Sequence, residues 1–286
     1  MAQEACAQSN YSLMLEAGDG FNVLVAEPLL ARDKILVAFS GRRGGVSEGA
    51  FSSLNLGLHV GDNPERVIAN RERILSHFDL NIEDAVCAEQ VHGTRVQRVS
   101  SLESGRGARL LTGTIAGTDA LTTDQAELPL MLFFADCVPI IVVEPKKRII
   151  AVAHAGWRGV YGNIVESTTA AMVSSWNLSP QNLFAFIGPS ICGCCYEVSS
   201  EVMDAFKDRF MRFDGWRHEN RINLVEIARL QLTASGISPQ QIISADICTA
   251  CRHQDYFSYR ADSGITGRHA AIAAILSESY RGATKL

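Results

Sequence analysis

Residues 130–155 read LMLFFADCVPIIVVEPKKRIIAVAHA, and this segment is the most informative about the fold. It holds three short apolar runs, Leu130–Phe134, Ile140–Val143 and Ile149–Ala153, each bounded by charged or turn-forming residues. Runs of this length predict buried strands. The three runs follow one another with no helical segment between them. Strands that arrive in this way favour an α+β fold over a repeated βαβ pattern.

The rest of the chain contains the same kinds of element. Further predicted strands are Phe21–Ala26, Ile35–Phe39, Ala85–Ala88, Leu183–Ile187 and Ile242–Ile247. Predicted helices are Pro64–Asp79 with Asn63 as its cap, a helix from about Gly159 to Trp176, Ser199–Phe210, and Leu224–Ser235 before Gly236. No internal repeat or interdomain linker is present. We therefore expect a single domain over residues 1–286, with about the first 20 residues peripheral.

Composition excludes several classes of protein. The 286 residues carry 26 Lys and Arg against 31 Asp and Glu, a formal net charge of −5, which argues against general nucleic-acid binding. No apolar run reaches the roughly 18 residues that a membrane span needs. The first basic residue, Arg32, is too late for a secretory signal. We expect a cytoplasmic protein whose eight cysteines are thiols, ligands or nucleophiles rather than disulfides.

Three residues next to predicted strands are candidates for chemistry: His92, Cys137 and His154. If three strands end at one edge of a sheet, these side chains meet, and two imidazoles with one thiolate suit Zn²⁺ with a fourth position open. A second interpretation makes Cys137 and His154 a metal-free nucleophile and base, with Asp136 beside them. A third treats the three as unrelated residues at strand ends. The spacing does not separate these interpretations.

The other cysteines carry a weaker signal. Cys248 and Cys251 form a C-x-x-C, and Cys192, Cys194 and Cys195 form a separate group. Standard zinc ribbons use two C-x-x-C units, which a C-x-C-C pattern does not match. Buried or partly buried thiols are therefore expected here rather than a structural zinc.

A glycine-rich segment, residues 41–49, contains Arg42 and Arg43. It matches neither a Walker loop nor a dinucleotide-binding fingerprint. Its glycines permit close backbone approach, so it is either an anion site or a tight turn with solvated arginines. His59 lies between glycines in a later loop and is a further candidate functional residue.

Taken together, the ordered blocks of this sequence resemble the YfiH family, also called the laccase-domain or multicopper polyphenol oxidoreductase family. The resemblance covers about Ile35–Ile275. It rests on the blocks RRGGVS, SLNLG, VGD, QVHG, DALTT, ADCVP, AHAGWRG, CCYEV and TGR. It implies a four-layer α/β/β/α fold with mixed sheets. It also implies a zinc ion bound by His92, Cys137 and His154.

The family's activities are phosphorolysis of adenosine, inosine, guanosine and methylthioadenosine, deamination of adenosine, and, for some members, editing of peptidoglycan precursors. An older description is copper laccase. Multicopper oxidases rely on His-x-His pairs, and none of the seven histidines here forms one, so zinc is expected rather than copper.

The resemblance thus predicts purine nucleosides and phosphate as substrates. Residue chemistry suggests Arg42 for phosphate and His59 or Asp136 for proton transfer. The alternatives are a Cys–His amidase acting on a peptidoglycan precursor and a polyphenol oxidoreductase. The oligomeric state is left open by the sequence.

Overall fold

The computed structural model of the chain describes residues 11–18 and 20–280. Within them the strands are β1 Met14–Gly18, β2 Phe21–Val25, β3 Ile35–Ser40, β4 Val86–Cys87, β5 Val96–Arg98, β6 Ala120–Thr123, β7 Leu130–Phe134, β8 Val138–Glu144, β9 Ile149–Ala155, β10 Phe184–Ile187, β11 Arg217–His218, β12 Arg221–Ile222, β13 Ile242–Ser244 and β14 His269–Ile275. The α-helices are α1 Glu27–Asp33, α2 Pro64–His77, α3 Trp157–Tyr161, α4 Ile164–Trp176, α5 Ser200–Phe210 and α6 Leu224–Ala234.

Twelve of the described strands form two six-stranded mixed sheets. The first has the order β1-β2-β3-β14-β7-β4, and the second has the order β13-β10-β8-β9-β6-β5. In each sheet most neighbours are antiparallel, but β4 is parallel to β7, β5 to β6, and β13 to β10. The chain passes from the first sheet to the second twice, between β4 and β5 and between β7 and β8.

The two sheets pack face to face, and helices cover both outer faces. Alternate residues of β9 show this arrangement, since Ile150 and Val152 point to the core between the sheets while Ala151 and Ala153 point to the core under the helices. The inter-sheet core also holds Phe39, Phe134 and Phe186. Helix α2 covers the first sheet, and α3 to α6 cover the second. The predicted α/β/β/α fold is confirmed.

Local sequence explains where the elements begin and end. Helix α2 starts as predicted, because the Asn63 side chain accepts a hydrogen bond from the Glu65 N–H at 2.8 Å and Pro64 needs no partner. The predicted Gly159–Trp176 helix is instead two helices, α3 and α4. The break lies at Asn163, whose φ of 71° is left-handed and cannot continue a helix.

Strand β14 is the central element that the sequence pattern did not indicate. It pairs with both β3 and β7, yet it reads HAAIAAI and contains few of the β-branched and aromatic residues that mark strands. Its alanines lie buried in two cores at once, since Ala271 and Ala273 face the second sheet while Ala270 and Ala274 face α2. Among the described residues, no helix has the length and apolarity needed to cross a membrane. About half of the predicted peripheral N-terminal segment, residues 1–10, lies outside the described range.

Candidate metal centre

The three candidate ligands meet where the two sheets join. His92 lies in the loop between β4 and β5, Cys137 in the turn between β7 and β8, and His154 near the end of β9. The ligands come from both sheets, and this differs from the single sheet edge that the sequence suggested. The register of β8 on β9 pairs Val138 with Ala155 and so places Cys137 beside the end of β9.

The ligand atoms of His92, Cys137 and His154 lie within 4.8 Å of one another. Cys137 Sγ is 3.9 Å from His92 Nε2, and the rings of His92 and His154 are 4.7 Å apart at their centroids. His154 is buried, Cys137 is half-buried, and His92 is exposed to the cavity side. The set therefore has one open side.

Asp119 holds this arrangement in place, and its side chain is fully buried. Its Oδ1 accepts hydrogen bonds from His154 Nδ1 and from the His92 N–H, both at 2.9 Å. Its Oδ2 accepts from the Gly93 N–H at 2.7 Å. Because Nδ1 of His154 is engaged, its Nε2 is the nitrogen left for a metal. Asp119 begins the DALTT block, but the sequence did not show its role.

Gln90 fixes the other end of the His92 loop. Its side-chain amide accepts from the Phe133 N–H at 2.9 Å and donates to the Phe133 carbonyl at 2.8 Å, so it pairs with β7 as a short strand would. Both Gln90 and His92 have left-handed backbone, with φ of 58° and 61°. Such strain outside glycine persists where surrounding contacts determine the conformation.

The electrostatics favour a thiolate at the site. Burial opposes ionisation of Cys137, but His154 and His92 outweigh it and lower the Cys137 pKa to about 6. Burial likewise opposes protonation of His154, but Cys137 and Asp119 raise its pKa to about 9. A thiolate is the form of cysteine that binds metals or attacks an electrophile. Two imidazoles, a thiolate and an orienting carboxylate fit a transition-metal ion.

The open side of the set faces a cavity of about 920 Å³. Four aromatic residues contribute to its wall: Phe133, Trp157, Tyr196 and Tyr259. Two arginines, Arg260 and Arg268, also line it. The volume and the mixture of aromatic and polar lining are typical of a small-molecule site.

His59 lines the same cavity, as the sequence suggested. His59 lies beside Arg268, and both side chains pack close to Gly57. A Cβ added at residue 57 would lie 2.8 Å from Arg268 Cγ and 3.4 Å from His59 Cε1, so glycine leaves room for both. Desolvation first, and then Arg268 and Arg71, lower the His59 pKa to about 4. His59 is therefore neutral at pH 7, although its side chain keeps access to solvent.

Asp136 also lines the cavity, but its carboxylate is committed to the protein. Oδ1 accepts from the hydroxyls of Thr249 and Ser258, each at 2.7 Å, and Oδ2 accepts from the Arg260 N–H at 2.6 Å. These bonds tie the β7–β8 turn to the segment that carries Arg260. The geometry favours an anchoring role over the proton transfer that the sequence suggested.

Arg42 is not among the residues that line the cavity, and this corrects its expected placement. Its guanidinium donates to the carbonyls of Ser52 and His253, each at 2.8 Å, and to Asp262 Oδ2 at 3.0 Å. It also lies over the Phe257 ring at 4.7 Å. The N–H donors of Arg42 therefore connect the loop that contains Ser52 to the segment that contains His253 and Asp262. The arginines that do line the cavity, Arg260 and Arg268, were not singled out by the sequence, although Arg268 ends the TGR block.

Fold and site together define an α+β enzyme with a candidate metal centre at the junction of two sheets. The chain belongs to the multi-copper polyphenol oxidoreductase laccase family, whose model matches residues 36–276, and the predicted resemblance to the YfiH family is confirmed.

Named relatives support this membership. Purine nucleoside phosphorylase YlmD of Geobacillus stearothermophilus is 39% identical over 81% of this chain and 86% of its own length. Adenosine deaminase RL5, from an unknown prokaryotic organism, is 32% identical over 77% of this chain and 83% of its own length. The crystal structure of the Geobacillus YlmD superposes with a TM-score of 0.87 at 35% identity and covers 93% of this chain and 100% of the YlmD chain.

Proposed function

We propose that this chain is a zinc-dependent purine nucleoside phosphorylase that also deaminates adenosine. The observation that carries the proposal is that the His92–Cys137–His154 set opens into an aromatic cavity that also contains Arg268. The activities named for YlmD and RL5 support the same substrates.

The donor set favours zinc over copper. Imidazole nitrogens and thiolates are zinc ligands, and a set of three protein ligands leaves the fourth position for water or substrate, as in catalytic zinc sites. Bound there, zinc would supply a Lewis acid that polarises a substrate oxygen or nitrogen. Among the described residues, the two metal-capable groups contain only two histidines between them, fewer than a histidine-rich multicopper centre requires.

The cavity offers a place for a purine. Phe133, Trp157, Tyr196 and Tyr259 provide ring faces, and stacking of a base on such faces contributes about 1–3 kcal/mol. The cavity of about 920 Å³ has room for a nucleoside together with phosphate.

Arg268 is the residue best placed to hold phosphate. Its Nη1 donates to the carbonyls of Thr266 and Gly267, each at 2.9 Å, which fixes the guanidinium. Among the described residues, Nε and Nη2 have no hydrogen-bond partner, so they remain for an anion at the cavity wall. A fork of two parallel N–H donors suits a phosphate.

Phosphorolysis replaces the C1′–N9 bond of the nucleoside with a C1′–O bond to phosphate, and the departing purine takes up the proton that hydrogen phosphate loses. Arg268 would hold the phosphate for this attack. His59, neutral at pH 7 and next to Arg268, would accept a hydrogen bond from phosphate or ribose. Asp119 would keep His154 oriented throughout.

Product identification tests the proposal. Zinc-loaded protein is incubated with adenosine and phosphate, and products are separated by chromatography. We expect adenine and ribose 1-phosphate, with inosine as a second product, and we expect His92→Ala to reduce all three. If neither adenine nor inosine forms, or if His92→Ala behaves as the unchanged protein does, the proposal fails.

A metal-free cysteine amidase is the second candidate, and one observation favours it. Asp119, His154 and Cys137 have the order of an orienting carboxylate, a base and a nucleophile, with 2.9 Å between Asp119 Oδ1 and His154 Nδ1. Elemental analysis separates the two candidates. If one zinc per chain is bound at this site and is lost in Cys137→Ala, the Cys137 thiolate is not a free nucleophile. If no zinc is bound at this site, the result favours the amidase.

A further inference from the structure

A second cluster of thiols lies away from His92, Cys137 and His154. It consists of Cys192, Cys195, Cys248 and Cys251, whose Sγ atoms all lie within 4.8 Å of one another. The sequence pattern C-x-C-C hid it, because Cys192 and Cys195 are themselves the two ends of a C-x-x-C unit. The chain therefore does contain two C-x-x-C units, the arrangement that zinc ribbons use.

The spacing of the sulfur atoms is close to that of a tetrahedral metal site. Zn–S bonds of about 2.3 Å require sulfur atoms about 3.8 Å apart along each edge of the tetrahedron. Cys195 Sγ and Cys251 Sγ are 3.4 Å apart, one atom from each C-x-x-C unit. The four sulfurs all lie within 4.8 Å of one another, so no pair is more than about 1 Å beyond that edge length.

Backbone donors independently mark one of these sulfurs as a ligand. Cys248 Sγ accepts hydrogen bonds from the Cys192 N–H at 3.3 Å and from the Cys251 N–H at 3.4 Å. Two N–H donors directed at one sulfur stabilise negative charge on it. One donor comes from each C-x-x-C unit, so the same sulfur also links the two.

The two loops are already held together without a metal. Ser190 and Cys248 form a β-bridge, in which the Ser190 N–H donates to the Ile247 carbonyl at 3.1 Å and the Thr249 N–H to the Ser190 carbonyl at 3.0 Å. The Cys195 N–H donates to the Cys192 carbonyl at 3.0 Å. The four thiols are thus pre-positioned, and the exposure of Cys251 leaves a path for an ion from solvent.

We propose that Cys192, Cys195, Cys248 and Cys251 bind a structural zinc ion that clamps loop 190–198 to loop 247–251. Four thiolates close the coordination sphere and leave no position for a substrate, so the role is structural. The clamp would stabilise one wall of the cavity. Tyr196 follows Cys195 directly, and Thr249, next to Cys248, donates to Asp136.

Cys194 provides a matched control. It is exposed, and its Sγ lies 3.3 Å from Cys192 Sγ, yet it falls outside the group of four mutually close sulfurs. Removing it changes one thiol at the same loop without removing a proposed ligand.

Metal content measured by mass spectrometry on the full chain, purified under reducing conditions with zinc, tests the proposal. In a His92→Ala/His154→Ala background, which removes imidazoles from the other site, we expect about one zinc per chain. Adding Cys248→Ser or Cys251→Ser should remove that zinc, whereas Cys194→Ser should leave it. Cobalt substitution should give a sulfur-to-metal charge-transfer band that follows the same pattern.

Three outcomes would overturn the proposal. The first is a background variant that holds no metal. The second is Cys251→Ser protein that retains metal while circular dichroism shows an intact fold. The third is a Cys195–Cys251 disulfide, detected by peptide mass under the same reducing conditions. None of these readouts depends on nucleoside turnover, so the result is separate from the proposed function.

Discussion

Asp119 Oδ1 accepts a hydrogen bond from His154 Nδ1 at 2.9 Å, and the same carboxylate oxygen accepts the His92 N–H. One buried carboxylate therefore orients one candidate ligand by its ring and another by its backbone. His154 lies on β9 of the second sheet, whereas His92 lies in a loop that follows β4 of the first. Asp119 thus connects the contributions of the two sheets.

Replacing Asp119 with Asn should weaken metal binding without unfolding the protein. The Asp119 carboxylate accepts from His154 Nδ1 and from the N–H groups of Val91, His92 and Gly93, whereas an amide offers only one acceptor oxygen, so both the His92 loop and the His154 ring lose their orientation. Loss of such a supporting group typically reduces metal affinity about 10- to 100-fold. Competition with a chromophoric chelator measures the change. Asp124→Asn, at the other end of β6, is the control and should bind zinc as the unchanged protein does.

Gly156→Ala should disturb the site from the opposite side. A Cβ at this position would lie 2.8 Å from His92 Cδ2 and 3.1 Å from Cys137 Sγ, so the ligands must move apart. We expect zinc affinity to fall about tenfold or more. At Gly113 the nearest atom to an added Cβ is 3.3 Å away, and Gly113→Ala should leave zinc affinity unchanged. Equal affinities for the two variants would contradict the geometry.

Alkylation of Cys137 in metal-free protein should show its lowered pKa. Because the pKa is depressed to about 6, the thiolate fraction rises as pH increases through 6 rather than through 9. His154, with its pKa raised to about 9, stays protonated until the pH rises through 9, so the ion pair exists between about pH 6 and about pH 9. Peptide-resolved mass spectrometry of iodoacetamide labelling measures the midpoint of the pH dependence of the Cys137 alkylation rate. Added zinc should protect Cys137 from alkylation. A midpoint near 9 would disprove the ion pair.

Arg268→Gln should raise the KM for phosphate more than the KM for nucleoside. Charge-assisted hydrogen bonds contribute about 1.5–3 kcal/mol, which corresponds to roughly a 10- to 100-fold change in affinity. Steady-state kinetics with each substrate varied in turn measures the split. Arg66→Gln serves as the control, since Arg66 on α2 pairs with the exposed Glu48. Equal effects of Arg268→Gln on both substrates would remove the assignment of Arg268 to phosphate.

His59 should not titrate near neutral pH. Desolvation, Arg268 and Arg71 lower its pKa to about 4, so the ring gains its proton only as pH falls through 4. Removing one cation with Arg268→Gln should raise this pKa part of the way towards 6.5, because burial and Arg71 remain. Nuclear magnetic resonance of the imidazole protons measures both values. A midpoint near 6.5 in the unchanged protein would contradict the placement of His59.

Much of the fold was predictable where local pattern and tertiary environment agree. Leu130–Phe134 and the capped start of α2 at Asn63 are the same in the prediction and in the structure. The pattern failed at β14, because alanine has little strand preference of its own and is placed there by close packing on both faces. It also failed at Asn163, where a single left-handed residue splits a helix.

The α+β class, the family, and His92, Cys137 and His154 as residues of interest could all be predicted from the sequence, because apolar periodicity and ordered motifs are local properties of a chain. Which side chains share one site depends on tertiary packing. It brought Asp119 to His154 and Arg268 to the cavity, committed Arg42 to loop carbonyls, and gathered four cysteines into one cluster. Asp119 and His154 are 35 positions apart, and Arg42 and His253 are 211 positions apart, so these contacts depend on how the two sheets and their loops pack, and no local pattern encodes that.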